Sequence, residues 1–201
     1  MIEKHVLIRI HRANEMVRVF IAIDIEDPSL LNKLYEIQKE IVKTRAKMKL
    51  VERENMHITL KFLGEISPAR LSSLEKAVVN ACKNFTKFKI ELARIGAFPS
   101  PARPRVIWIG VSKGAEILKQ LAGAIEKETV QMGFKKADKP FHPHVTLARV
   151  KIATPELRNF ILKNQELFVG EILVEEVRIK ESILRPQGPL YKTLYRVELK
   201  S

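Results

Sequence analysis

His57-Ile58-Thr59-Leu60 recurs as His144-Val145-Thr146-Leu147, a shift of 144 − 57 = 87 residues. Two of the five histidines sit in this doubled pattern. Free imidazole titrates near ~6.5, so both protonation states are accessible around neutrality. Two such rings flanking one phosphorus can run an in-line displacement. The neutral ring takes a proton from water, and the protonated ring gives one to the departing alkoxide. The two threonine hydroxyls can hydrogen-bond the non-bridging oxygens as negative charge grows there. This chemistry requires no metal or other cofactor.

The residues must be held by strands for the pattern to make sense. Residues i and i+2 of a strand share a face. His57 and Thr59 therefore project together while Ile58 and Leu60 anchor the strand; His144 and Thr146 stand likewise over Val145 and Leu147. Lys61 shares the His57 face under ideal alternation and is a phosphate-binding candidate. Arg149 falls on the opposite face, and a strand end or bulge is needed to swing its guanidinium toward a phosphate. Phe62, Phe141 and Trp108 could stack on bases, but core packing is the simpler expectation for Phe62 and Trp108. His142 shares a face with His144 if that strand starts early. No cysteine or carboxylate cluster completes a metal shell around the pair, so no metal site is expected. No GxxxxGK[ST] or GxGxxG loop is present either.

The repeat extends past the motif. Under the same shift Arg18-Val19-Phe20-Ile21 meets Arg105-Val106-Ile107-Trp108, Ser67-Pro68 meets Thr154-Pro155, and Pro99 meets Pro186. Chance explains the Leu and Val matches but explains a hydroxyl residue and proline ten residues after each histidine poorly, so a duplication is expected. Each copy reads strand–helix–strand–helix–strand. Asp27-Pro28, Ser67-Pro68 and Thr154-Pro155 are helix starts. Leu30, Leu31, Leu34, Ile37 and Ile41 form an apolar stripe at helical spacing. Residues 115–132 form a helix stopped by Gly133. Residues 17–25, 57–63 (ended by Gly64), 88–95, 105–111, 144–150 and 191–199 read as strands, with a short one near 48–51 and one long strand within 171–184. The fold class is α+β: duplicated, bilobal, with antiparallel-rich sheets facing a central cleft. Residues 1–15, which include His5 and His11, precede the repeat and read as an appendage. Residues 16–201 read as one bilobal domain.

Thirty-six Lys and Arg against 23 Asp and Glu give a net charge of +13, which favours a polyanionic partner. Cys82 is the sole cysteine, so an intrachain disulfide is excluded, and it reads as core packing. No apolar run is long enough to span a membrane, and no signal peptide is recognisable at the N-terminus. A cytoplasmic monomer is expected. The high charge content hints at a thermophilic source.

These residues resemble the two-histidine phosphoesterases, in particular the LigT-like RNA 2′,3′-cyclic phosphodiesterases, also called 2′-5′ RNA ligases. The resemblance rests on Arg18 to Ile23, His57 to Glu65, Pro104 to Trp108 and Pro143 to Arg149, and covers residues 16–199. It implies a bilobal α+β fold with a central cleft. It implies metal-independent opening of a terminal RNA 2′,3′-cyclic phosphate to a 2′-phosphomonoester, with His57 as proton donor and His144 as proton acceptor. ATP-independent joining of tRNA halves through 2′-5′ links is the related reverse chemistry. The basic charge alone fits a non-catalytic RNA-binding module equally well, and a small cyclic nucleotide is a third substrate class. The matched His/Thr pairs favour an enzyme, since binding alone does not need them.

Overall fold

The computed structural model describes residues 15–186 and 188–201. Apart from Glu15, the expected appendage lies outside the described residues. The strands are β1 (Val17–Asp24), β2 (Lys47–Leu50), β3 (His57–Ile66), β4 (Phe88–Phe98), β5 (Val106–Val111), β6 (His144–Ile152), β7 (Phe168–Val174), β8 (Glu176–Ile183) and β9 (Leu190–Glu198). The helices are α1 (Pro28–Lys43), α2 (Leu71–Cys82), α3 (Ala115–Gln131) and α4 (Pro155–Lys163). Two of the expected caps are made: Asp27 accepts from Leu30 N at 2.7 Å and Thr154 from Leu157 N at 3.2 Å. Ser67 makes no such bond, and its Pro68 opens a 3-10 turn before α2. Gly64 does not end β3. It sits inside the strand at φ +76°, a conformation that favours glycine.

The strands form one sheet in the order β7-β4-β5-β6-β3-β1-β8-β9, with β2 also paired to β6. All ladders between these strands are antiparallel. The order is symmetric about the junction of β6 and β3, which meet at the single pair Ile58↔Val145. The copies are not confined to separate lobes. β4 closes the first copy but pairs with β5 of the second; β8 of the second copy pairs with β1 of the first. The helices cross as well: α3 packs against β3 and α2, and α1 against β6 and β7. The long strand expected over 171–184 is two strands that part at Glu175, whose carbonyl accepts from Leu199 N. β7 goes to one edge region and β8 to the other.

Apolar residues from all four helices and from the inward faces of the strands form one continuous core. It includes Ile21, Leu34, Ile58, Leu74, Ile109, Leu118, Val145 and Leu157. Cys82 lies in it, and burial pushes its thiol up to about 12, so it is a packing residue. No helix among the described residues is long and apolar enough to cross a membrane.

Both central strands carry the same irregularity. On β3, Thr59 pairs with Ala22 and Lys61 with Ile21, which leaves Leu60 as an extra residue. On β6, Thr146 pairs with Trp108 and Ala148 with Ile107, which leaves Leu147 extra. Such a bulge resets the alternation. Lys61, expected beside His57, is instead turned into the helix layer. It is 5% exposed, with its Nζ 2.7 Å from Glu126 of α3. The bulged Leu147 carbonyl is satisfied by Gln38 of α1 at 2.9 Å and by Val51 N at 2.9 Å.

Removing one partner of a buried ion pair strands the other charge. Glu126→Ala should therefore cost about 3 kcal/mol in a urea melt. Lys61→Met combined with Glu126→Ala should recover most of that loss. A double variant as unstable as Glu126→Ala would contradict the pairing.

Candidate active site

The lone bridge between β3 and β6 decides the geometry. In antiparallel register about Ile58↔Val145, His57 lies opposite Thr146 and His144 opposite Thr59. Ile58 and Val145 are fully buried beneath them, so the four polar residues share the outer face. Two His/Thr pairs from distant parts of the chain thereby form one constellation, related by the symmetry of the sheet.

Each ring is held in the same way. His57 Nδ1 lies 2.7 Å from the carbonyl of Asn55, and His144 Nδ1 lies 2.6 Å from the carbonyl of His142. A carbonyl only accepts, so Nδ1 of each ring carries the proton and Nε2 is the free base of the neutral ring. His57 Nε2 is 3.0 Å from Thr59 Oγ1, which donates to it. Asn55 is itself buried, donating to Glu52 at 2.9 Å and to the Pro189 carbonyl at 3.2 Å. Burial pushes His57 down to about 4, helped by Lys180 and by His144, against the carbonyl of Asn55 and the Asp24 carboxylate. Burial lowers His144 too, opposed by the His142 carbonyl and helped by His142 and Arg149.

The bulge brings Arg149 to the His/Thr face. Arg149 is exposed. Its charge is felt by both His144 and Tyr191. The matched position on β3 is Phe62 (149 − 62 = 87), and it is 72% exposed rather than in the core. Trp108 is also not a core residue of the helix layer. It pairs with Thr146, and its ring lies against Gly96, close enough that a Cβ there would sit 2.1 Å from it.

An aromatic group stands beside each histidine. Phe20 and Tyr191 flank His57 at ring separations of 5.1 and 5.2 Å, and Phe62 lies 5.9 Å from Phe20. Phe98 lies 5.1 Å from His144, and His142 packs on Trp108 at 4.9 Å. His142 stands beside His144, at 6.1 Å between rings. Among the described residues no three His, Cys, Asp or Glu side chains are grouped to hold a metal ion.

Phe20, Tyr191 and Phe98 were not foreseen from sequence. Phe20 lies in a strand buried on both faces, where alternation carries no signal. A charged network next to His57 was also missed. Asp24, the cross-strand partner of His57, accepts from Arg178 at 2.7 Å and from Lys180, and Arg178 also donates to Glu26 at 2.6 Å. A cavity of about 540 Å³ lined by Asp24, Glu26, Glu171, Glu176, Arg178 and Arg196 includes neither histidine. It is a charged crevice beside the site, not the site.

The LigT like phosphoesterase family model matches two successive stretches, residues 23–108 and 109–191. An RNA 2′,3′-cyclic phosphodiesterase of Aeropyrum pernix is 41% identical over 174 residues, covering 86% of this chain and 98% of the relative. One from Archaeoglobus fulgidus is 40% identical over 178 residues, covering 89% and 98%. Among solved structures, a Thermus thermophilus protein superposes with a TM-score of 0.78 at 28% identity, over 91% of this chain and 98% of that one. Escherichia coli LigT in apo form gives 0.75 at 25% identity, over 93% and 99%. The antiparallel α+β sheet, the two matched stretches and relatives similar along nearly their whole length place this chain in the LigT-like phosphoesterase family.

Proposed function

We propose that the chain hydrolyses the terminal 2′,3′-cyclic phosphate of RNA to a 2′-phosphomonoester. The observation that carries this reading is the Ile58↔Val145 bridge, whose antiparallel register sets His57 opposite Thr146 and His144 opposite Thr59. The names of relatives at 40–41% identity support the substrate class. His144 takes a proton from water, whose oxygen attacks phosphorus as the P–O3′ bond breaks. His57 gives a proton to the departing 3′ oxygen. Thr59, Thr146 and the Arg149 guanidinium hold the non-bridging oxygens. Phe62, exposed on the same face, offers a stacking surface for the terminal base, and the buried Phe20 ring backs it at 5.9 Å. With an RNA 5′-hydroxyl in place of water, the same steps make a 2′-5′ diester and a free 3′-hydroxyl, which is the joining reaction for tRNA halves.

Burial lowers both rings in the free protein, which favours their neutral form. The acid must therefore gain its proton from the minor singly protonated form or as the anionic substrate binds. The pH optimum of kcat/KM, which reports the free enzyme, should lie below 6.5. The optimum of kcat should lie higher, since the bound phosphate favours protonated imidazole. A kcat/KM optimum above neutrality would contradict the assigned pair.

His57→Ala and His144→Ala should each lower turnover of an oligoribonucleotide 2′,3′-cyclic phosphate by about 10²–10⁴-fold. Addition of chelator should leave the wild-type rate unchanged, and phosphorus NMR should show only the 2′-monoester. Near-normal turnover in either variant, or a 3′-monoester product, would overturn the reading. Arg149→Met should raise KM and lower kcat together, and an unchanged kcat/KM would remove Arg149 from the site.

A further inference from the structure

Beyond the bridge, β6 continues past Arg149 and is paired there by β2 rather than by β3. Register places Lys49 directly beside Arg149 on one face, and Lys47, two residues before Lys49, shares that face. Met48 and Leu50, on the other face, pack against the core. Lys151 is the extra residue of a second bulge, because Lys47 pairs with Ile152 and Met48 with Val150. Lys47, Lys49, Arg149 and Lys151 are all exposed. Glu52 lies beside Lys49, and both side chains approach Gly188. Arg105 adds a further exposed cation at the neighbouring end of β5, where its carbonyl accepts from Val150 N.

Alternate side chains on a strand stand about 6.8 Å apart, so Lys47 and Lys49 reach separate phosphates rather than one. The charge here contrasts with the crevice at the ends of β1, β7 and β8, whose lining carries Asp24, Glu26, Asp27, Glu171, Glu175, Glu176 and Glu198 against Lys87, Arg178 and Arg196. A polyanion leaving the histidine pair is repelled along that direction and attracted along β2 and β6.

We propose that the β2–β6 face is a track for single-stranded RNA on the 5′ side of the terminal nucleotide, making the chain selective for oligonucleotide over mononucleotide substrates. This rests on the cyclic-phosphodiesterase reading of the histidine pair. Lys47 and Lys151 lie outside the reacting constellation, so their role is separable from the chemistry.

The test compares a nucleoside 2′,3′-cyclic phosphate with a ten-nucleotide RNA bearing the same end, in wild type and in Lys47→Glu/Lys151→Glu. Wild type should prefer the oligonucleotide. The double variant should lose about tenfold or more in kcat/KM on the oligonucleotide, with a salt dependence shallower by about 1–2 logarithmic units per decade. Its rate on the nucleoside should not change. No oligonucleotide preference in wild type, or an equal loss on both substrates, would overturn the track. If wild type turns over neither substrate, the catalytic reading fails by itself. Fluorescence anisotropy of the labelled oligonucleotide then decides the track, weaker binding by the variant supporting it and equal binding refuting it.

Discussion

The site depends on one point of contact between two strands. The one ladder pair between β3 and β6 is Ile58 and Val145, both buried in the shared core. That pair fixes which residues lie opposite one another on the other face. A slip of one residue would send every side chain of a strand to the wrong side. The core under the bridge therefore specifies the register of the two His/Thr pairs as firmly as it stabilises the fold. The exchange of β4 and β8 between the copies reinforces this, since neither half of the sheet can form from one copy alone.

The matched bulges at Leu60 and Leu147 add the second constraint. Each converts the residue five positions after its histidine from inward-facing to outward-facing. On β6 that residue is Arg149, a cation suited to phosphate; on β3 it is Phe62, an exposed ring suited to a base. The approximate symmetry of the backbone thus carries an asymmetric set of side chains. On the proposed reading, Arg149 meets the phosphate and Phe62 the base of one terminal nucleotide. Burial adds to this by favouring the neutral form of both imidazoles.

Much of this was legible in the sequence. Alternation around His57 and His144 gave the polar face and its anchors, and the repeat gave the order of elements. The proline starts at Pro28 and Pro155 marked helices that the structure shows capped by Asp27 and Thr154. Lys61 and Phe62 were misplaced because a bulge adds a residue without any change in composition, whereas Trp108 follows plain alternation between the buried Ile107 and Ile109. The gapless repeat hid a related irregularity. Register equates Asp24 with Gly110, an offset of 110 − 24 = 86, although the histidines differ by 87. The exchange of strands was not legible at all, because hydrophobic pattern says that a strand is buried and not which neighbour buries it. Likewise the split of 171–184 turns on Glu175, a residue that interrupts no pattern of its own.

The central claim is that His57 and His144 act on one phosphorus as a unit. Groups that act as a unit show grossly non-additive losses when removed together. The direct measurement is single-turnover hydrolysis of an RNA 2′,3′-cyclic phosphate by His57→Ala, His144→Ala and the double variant. The account predicts a double variant no slower than the slower single one. Losses that multiply would mean two independent contributions and would contradict it.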